Sequence, residues 1–294
     1  MEGGKSLINC GELTKPATIL IEKISDAIGG YCKPWQIRRV AQAEADANRI
    51  KALSQIETQM EIADLTQRAL GRFLSEETKK QDNIESITSK ALPLLEESSK
   101  PQEINDDWIT NFFDKCRLVS DNEMQNLWAK VIAGEANTPG RYSKRTVNFV
   151  GSLDKSDATI FTSLIGFGWL IGNIVPLIYG IDSSIYSEYG ITFDVITHLD
   201  DIGLLSFESL AGYRRVGFEK KIQIFYYGTP INIEFQNNDN NDLDIGKVIL
   251  TKIGQELAPI CGSKPVQGFL DYVVNQWIKK GLILSSPFPP TTRA

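Results

Sequence analysis

The stretch that decides the fold is IQIFYYGTPINIEF, residues 222–235. Two runs rich in β-branched and aromatic residues, 222–227 and 231–235, flank the turn formers Gly228-Thr229-Pro230. This order is typical of a β-hairpin. Upstream, the apolar spacing over 191–202 predicts a helix that leads through Gly203 into a short strand.

Helix, strand and hairpin follow one another here in the order of a winged helix. A DNA-binding winged helix needs Lys or Arg on its recognition helix and wing, because both meet phosphates. The predicted helix carries Asp194, Asp200 and Asp201 instead, and the loop after the hairpin is also acidic. We therefore predict a winged-helix-like α+β module over 183–284 that serves protein interaction or structure, and DNA binding is disfavoured.

The N-terminal region, 1–95, is predicted to be helical. An amphipathic helix over 13–28 has Pro16 in its first turn, where proline is tolerated. The interval 35–80 contains no proline and one glycine, which predicts a long helix, and a shorter helix over 83–91 would end before Pro93. Apolar residues in steps of three and four over 53–74 resemble a coiled-coil seam. Two interpretations stay open: the long helix packs within its own domain, or it forms a homo-oligomer through 35–77.

The middle of the chain is predicted to be a linker, 96–107, and a central helical domain, 108–182. Asp121 is a candidate N-cap for a helix with core residues at helical spacing. The interval 158–181 has no charged residue and meets the length criterion for a membrane span. Its glycines, Asn173 and Pro176 favour a buried helix broken near 172–176 instead. With a loose tail over 285–294, the predicted fold class is mainly α with a small α+β part.

One histidine and four scattered cysteines limit the chemistry. The cysteines share no Cys-x-x-Cys spacing: Cys10, Cys32, Cys116 and Cys261. This argues against a zinc knuckle or a thioredoxin-type motif. His198 lies near Asp200 and Asp201 in sequence, but one histidine on a helix is more typical of a surface or packing residue than of a general base. The sequence also has no P-loop and no Gly-x-Ser-x-Gly elbow. We predict a non-enzymatic protein without cofactor or metal.

The net charge is -6 and the pI is near 5.1. These values argue against a protein that binds along nucleic acid or an anionic membrane through its overall electrostatic field. Residues 1–10 contain no apolar run that predicts a secretory signal. The expected location is a reducing cytoplasm, with membrane association as an alternative.

Three basic clusters, each with aromatic neighbours, are the candidate partner-binding residues. They are Lys33, Trp35, Arg38 and Arg39; Arg141, Lys144 and Arg145; and Arg214, Arg215, Lys220 and Lys221. Such mixtures suit an acidic protein partner or nucleic acid. Exposed loops and strand edges also carry such charges to discourage pairing, so this interpretation stays open. The first cluster follows the amphipathic helix, and together they would suit a membrane-surface anchor.

Several short segments together resemble an uncharacterised bacterial family known as domain of unknown function 2806. The segments are Ile37-Arg38-Arg39-Val40-Ala41, Leu127-Trp128-Ala129-Lys130, Gly134-Glu135-Ala136, Pro139-Gly140, Tyr142-Ser143, Arg145-Thr146 and Leu250-Thr251-x-x-Gly254. The Leu-Trp-Ala helix is similar, more weakly, to the abortive-infection alpha proteins of phage defence. The resemblance implies a bacterial setting and a defence role, and it carries no catalytic residue.

The predicted function is therefore macromolecule binding or sensing, in phage defence, by a protein that is not an enzyme. A protein partner is expected. The alternatives are a membrane-acting effector, through 13–39 or 158–181, and a DNA-binding winged-helix regulator.

Overall fold

The computed structural model describes residues 13–28 and 62–285 of the chain. The chain forms two compact units, and the boundary lies between Ser152 and Leu153. The segment 108–182 therefore contributes to both units. Of the described residues, 52% are helical and 17% lie in strands, so the fold is an α+β mixture. The prediction of a mainly α fold with a small α+β part is wrong.

The described part of the N-terminal unit consists of five α-helices and two single 3₁₀ turns. The helices are α1 (Lys15–Ala27), α2 (Ile62–Ala91), α3 (Asp106–Cys116), α4 (Asn122–Asn137) and α5 (Lys144–Ser152). The 3₁₀ turns are Leu92–Leu94 and Pro101–Glu103. The predicted N-cap of α4 is confirmed, because the Asp121 carboxylate accepts the backbone N–H groups of Glu123 and Met124 at 2.9 and 3.0 Å.

Aromatic side chains form the centre of this unit. Phe112 of α3 packs against Trp108 and against Trp128 of α4, with ring centroids 5.3 and 5.0 Å apart. All three are buried. Helical spacing places Trp108 and Phe112 on one face of α3 because residues four apart are neighbours on a helix. This core holds α3 and α4 together.

Helix α2 changes character along its length. Near its C-terminal end, Ile84, Ile87 and Ala91 are buried, and the helix is continuous to Ala91 where two helices were predicted. In its N-terminal half, Leu65 is 69% and Phe73 is 54% exposed. The first part of the proposed seam, 53–60, lies outside the described residues, so the coiled coil stays a prediction.

The charge-free interval 158–181 is not one broken helix. Helix α6 (Lys155–Ile165) ends there, and strands β1 (Gly168–Ile171) and β2 (Asn173–Pro176) follow as a hairpin. Gly172 turns the hairpin with φ +74°, a value that favours glycine. The prediction of a buried helix over 158–181 is wrong, because β1 gains a partner strand from far along the chain. Within 13–28 and 62–285, none of the helices has both the length and the apolar character that crossing a membrane requires.

The C-terminal unit is built on a five-stranded antiparallel sheet. The further elements are α7 (Ser184–Ser187), α8 (Phe193–Asp201), β3 (Leu205–Phe207), β4 (Tyr213–Phe218), β5 (Lys221–Tyr226), β6 (Thr229–Glu234), β7 (Asn241–Gly246), β8 (Val248–Leu250), α9 (Lys252–Leu257), α10 (Phe269–Lys279) and β9 (Ile283–Ser285). The strand order is β2-β1-β5-β6-β9, and β3-β8 and β4-β7 form two small sheets.

The hairpin predicted from residues 222–235 is confirmed as β5 and β6. It is not the wing of a winged helix, however. A wing is a two-stranded hairpin, whereas here β5 also pairs with β1 and β6 also pairs with β9. The winged-helix interpretation is therefore wrong, and the hairpin is the centre of the large sheet.

The two faces of this sheet differ. On the inner face, Trp169 packs against Trp277 of α10 and against Tyr226, with ring centroids 5.0 and 5.1 Å apart. All three side chains are buried. On the outer face lie Leu170 and its neighbours on β2 and β5, and Leu170 is 46% exposed. The inner face is thus the core of the unit, and the outer face leaves apolar side chains at the surface.

Candidate functional site

An apolar groove of about 460 Å³ lies on the outer face of the sheet. Its floor is formed by Leu170, Ile174 and Phe225, and its walls come from the turn between β5 and β6 and from the loop after α9. A volume of this size is in the range of sites that bury a ligand or a partner's side chains. We refer to it as the groove.

Strand register places the floor of the groove. Leu170 is the pairing partner of Ile174 in β2 and of Phe225 in β5. Side chains directly opposite one another in an antiparallel pair lie on the same face of the sheet. Three apolar side chains from three strands therefore form a continuous row. Because successive residues alternate between faces, the neighbouring Trp169 and Ile171 point into the core instead.

The wall next to the hairpin is a two-residue turn, Tyr227-Gly228. Both residues have positive φ, +45° and +82°, as a type I′ turn requires. Glycine adopts this conformation at little cost, but Tyr227 does so against its steric preference. Its hydroxyl oxygen lies 3.0 Å from the carbonyl oxygen of Ile165 and 2.6 Å from the Ser263 hydroxyl. These hydrogen bonds tie the turn to the opposite wall.

The chemistry of the groove is that of a neutral binding surface. None of its lining residues is charged. Partial burial raises the pKa of Tyr227 above its ordinary value, so the phenol keeps its proton near neutral pH. The groove therefore offers apolar contact area with a protonated hydroxyl at one side.

The family relationship follows from a comparison with known protein families. The family model described as "Protein of unknown function (DUF2806)" matches residues 67–274. The chain belongs to the DUF2806 family. The matched segment spans strands β1, β2, β5 and β6, which form the groove. No curated protein matches the chain, and no solved structure matches it.

The DUF2806 segment around Glu135 has a structural role. The Glu135 side chain is only 3% exposed, and its two carboxylate oxygens accept the backbone N–H groups of Gly140 and Tyr142 at 2.7 and 2.9 Å. Gly134 lies directly under the Tyr142 ring, where an added Cβ would come within 2.8 Å of a ring carbon. The carboxylate and the glycine together fix the loop between α4 and α5.

The basic cluster at 214–221 is largely paired with acidic or polar groups of its own unit. The Arg214 guanidinium lies 2.6 Å from the Asp242 carboxylate, and Arg215 donates to the side-chain oxygen of Asn173. Lys220 and Lys221 both pair with Glu234 of β6, at 3.9 and 3.3 Å. Because opposite charges lie across neighbouring strands, this cluster offers less free positive charge than its sequence suggests.

The cluster at 141–145 is partly paired. The Arg141 guanidinium lies over the ring of Tyr142, 5.5 Å from its centroid, and Lys144 pairs with Asp107 at 3.5 Å. Arg145 is exposed. The third cluster, Lys33, Trp35, Arg38 and Arg39, lies outside the described residues. The cluster at 214–221, which belongs to the same unit as the groove, contributes none of the groove's lining residues.

His198 pairs with an acid that the sequence did not indicate. Its Nε2 lies 2.9 Å from the carboxylate of Asp157 in α6, whereas Asp200 accepts the backbone N–H of Phe207. In the described parts of the chain, no group of three His, Cys, Asp or Glu residues is placed to hold a metal ion. The His198–Asp157 pair joins α8 to α6.

Sequence reasoning missed the groove. Two residues of its floor, Leu170 and Ile174, come from the interval 158–181, for which the sequence favours a helix. The signal that indicates the floor is Gly172-Asn173 between two short runs with β-branched residues, an order that favours a hairpin turn. The contribution of Phe225 depends on pairing between strands some fifty residues apart in sequence, and no local pattern predicts it.

Proposed function

We propose that this DUF2806 protein is a non-enzymatic binding protein whose groove receives apolar side chains of a protein partner. The observation that carries the proposal is the row Leu170, Ile174 and Phe225, held at the surface by strand pairing. Apolar side chains grouped at a surface mark interaction sites more often than scattered ones do. Filling the groove would remove this row from water, which is favourable.

Charge favours a protein partner over nucleic acid. The groove lining has no charged residue, and Arg214 of β4 and Lys221 of β5 are paired with acids. Binding to a phosphate backbone depends on free Lys and Arg that displace counterions. Protein interfaces instead deplete charge at their centre and enrich aromatic residues, as at Phe225 and Tyr227.

Site-specific photocrosslinking in cells tests the proposal. The photoreactive residue p-benzoylphenylalanine is placed at Leu170 in the groove, or at Val216 of β4 as the matched control, since Val216 is 71% exposed in another sheet. We expect a discrete protein adduct from position 170 that Ile174→Asp reduces at least about tenfold, which corresponds to about 1.4 kcal/mol of binding free energy. Adducts that are absent at 170, equal at 216 or insensitive to Ile174→Asp would contradict it.

Self-association through α2 is a second candidate function. It is favoured by the exposure of Leu65 and Phe73 in the helix half that precedes the packed half. A second copy would cover these side chains. Light scattering should give a defined oligomer that Leu65→Asp with Phe73→Asp reduces to a monomer, while Thr78→Asp, on the same helix, leaves it unchanged. A wild-type monomer at high concentration would remove this candidate.

The role in phage defence stays a prediction. Cells carrying the wild-type chain and cells carrying Leu170→Asp would be compared for plating efficiency across a panel of phages. A difference of at least about tenfold that depends on Leu170 would link the groove to defence, and equal plating on all phages tested would count against that link.

A further inference from the structure

We propose that the apolar side chains received by the groove belong to one α-helix of the partner, which lies across strands β2, β1 and β5 and carries acidic residues beside its apolar stripe. The inference rests on the proposed function, since it names the partner's segment at that same groove. Three observations carry it: the spacing of the groove floor, the polar side chains that follow the floor on the same face, and the lysines around the groove.

The spacing of the floor matches the spacing of side chains on a helix. Ile174, Leu170 and Phe225 belong to three adjacent strands, so neighbouring floor residues are one strand spacing apart, about 4.8 Å. Residues on one face of a helix recur about every 5.4 Å, and residues on one face of an extended chain recur about every 6.6 Å. Over the two intervals of the row, the mismatch is about 1 Å for a helix and about 4 Å for an extended chain. The floor therefore favours a helix.

The direction of the partner helix follows from the side chains beyond the floor. By strand register, the next row on the outer face consists of Gln223, Asn232 and Ser285, and the row after it contains Lys221 and Glu234. Along β5 the outer face thus changes from apolar to polar within two residues, whereas across the strands it stays apolar from β2 to β5. An apolar stripe buries the most apolar surface when its helix lies across the strands, because burial of apolar surface is the favourable contribution.

The charges around the groove favour acidic side chains on the partner. The Lys252 side chain of α9 is 79% exposed, and Glu256, which pairs with it, is 11% exposed. The Lys221 side chain of β5 is 71% exposed, and its partner Glu234 is 35% exposed. Each pair therefore presents its ammonium group to solvent more than its carboxylate. Lys264, directly after the wall of the groove, is exposed as well. Opposite charges at the rim of an interface steer the partner and fix its register.

Mapping of photocrosslinks along the row tests the helix. p-Benzoylphenylalanine is placed in the full chain at Ile174, Leu170 or Phe225, one position per protein, and mass spectrometry identifies the crosslinked residue of the partner captured in cells. The two outer positions are about 10 Å apart, which corresponds to about seven residues of a helix and about three residues of an extended chain. We expect the site captured from Leu170 to lie between the other two, in intervals of about three or four residues. Intervals of one or two residues, or sites on separate segments of the partner, would overturn the proposal.

The test does not depend on all three photoreactive proteins being folded. Circular dichroism of each purified protein shows whether the fold is kept. Phe225 is the most conservative position, because p-benzoylphenylalanine only extends its ring. Should the protein changed at Ile174 fail to fold, the interval between the sites captured from Leu170 and Phe225 still distinguishes about three residues of a helix from one or two residues of an extended chain.

Charge reversal tests the acidic residues of the helix. One variant carries Lys221→Glu, Lys252→Glu and Lys264→Glu together with the photoreactive residue at Leu170. The matched control carries Lys279→Glu, an exposed position on α10, which covers the inner face. We expect the triple change to lower the partner adduct at least about fivefold, Lys264→Glu alone to lower it about twofold, and the control to leave it unchanged. An adduct that the triple change leaves unchanged or raises would overturn the acidic character of the helix.

The pattern of adducts distinguishes the helix from partner binding itself. Absence of adducts at all three positions would overturn partner binding, and the helix with it. Adducts that form at Leu170 and respond to Ile174→Asp, but lie one or two residues apart along the row, would keep partner binding and overturn the helix.

Discussion

The inner and outer faces of the large sheet are made by alternate residues of the same strands, yet they have different roles. Trp169 and Ile171 of β1 are buried against the core, while Leu170 between them is half exposed in the groove. At the end of β5, Tyr226 is buried, whereas Tyr227 in the adjoining turn is exposed. Apolar character is similar on both faces, so what differs is whether another element of the unit covers it. The inner face should govern stability, and the outer face should govern binding.

Placing a charge on each face of β1 should give the largest difference in the free energy of unfolding. Ile171→Asp would bury a carboxylate at a position that is 1% exposed, and we expect at least about 5 kcal/mol of destabilisation, comparable with the stability of a domain. Leu170→Asp should change the free energy of unfolding by less than about 1 kcal/mol, because water reaches this position. Urea unfolding followed by circular dichroism measures the stability of both variants. Similar losses of stability would contradict the different roles of the two faces.

Shortening a buried side chain on the inner face should give the next largest loss of stability. Trp169→Ala removes a fully buried ring that contacts Tyr226 and Trp277, and large-to-small changes of this kind cost about 3–5 kcal/mol. The midpoint in urea should fall accordingly. Its control is Ile174→Ala on the outer face, which should cost less since Ile174 is only half buried. A Trp169→Ala protein with wild-type stability would show that the inner face is not the core.

Two neighbouring tyrosines allow the two faces to be compared by removing one hydroxyl group from each. The Tyr226 hydroxyl is buried, accepts the N–H of Val266 at 2.7 Å and lies 2.8 Å from the Gly166 carbonyl oxygen. Tyr226→Phe would leave both backbone groups without this partner and should cost about 1–3 kcal/mol. Tyr227→Phe, at the groove, should cost less than about 1 kcal/mol because water can replace the lost bonds. Equal costs in thermal unfolding would contradict the assignment of faces.

The smallest effect is expected outside both faces, at the ion pair between Asp244 of β7 and Lys280. Partial burial raises the pKa of Asp244, but hydrogen bonds from the Lys280 ammonium, 2.6 Å away, and from the Gly246 N–H outweigh it and lower the pKa. A lowered folded-state pKa gives stability that is present above the unfolded pKa and is lost as the pH falls through the folded pKa. Because the pair is partly exposed, we expect less than about 1 kcal/mol.

Asp244→Asn tests this pH dependence. The stability difference between wild type and Asp244→Asn should be largest at neutral pH and should shrink as the pH falls below about 4, near the ordinary pKa of an aspartate. Unfolding in urea at a series of pH values gives the difference directly. Asp242→Asn on the same strand is the control, since its carboxylate pairs with the exposed Arg214. A difference that is constant from pH 7 to pH 3 would contradict the stabilising role of the pair.

Local signals predicted much of the secondary structure. The cap at Asp121, the end of α2 before Pro93 and the hairpin turn at Gly228 each depend on residues within one or two turns of the chain. Such signals act through local hydrogen bonds and backbone angles, so they can be identified in the sequence. The core residues of α4 were predicted in the same way, because their spacing matches a helix.

The errors came from segments whose structure depends on distant partners. The interval 158–181 is apolar without a clear period, and such a run does not distinguish a buried helix from buried strands. The strand structure of this interval depends on β5, which pairs with β1. The winged-helix interpretation failed for the same reason, since the hairpin pairs with β1, which lies outside 183–284, and with β9 at the far end of that segment.

The sequence by itself determined the helix caps, the central hairpin, the acidic balance and the membership of the DUF2806 family. Only the tertiary structure decided which apolar residues are core and which line the groove. Leu170 and Trp169 are neighbours with similar hydrophobicity, and their roles differ because α10 covers one face of the sheet. Burial depends on packing between elements far apart in the chain, and the order of residues in a single strand does not encode it.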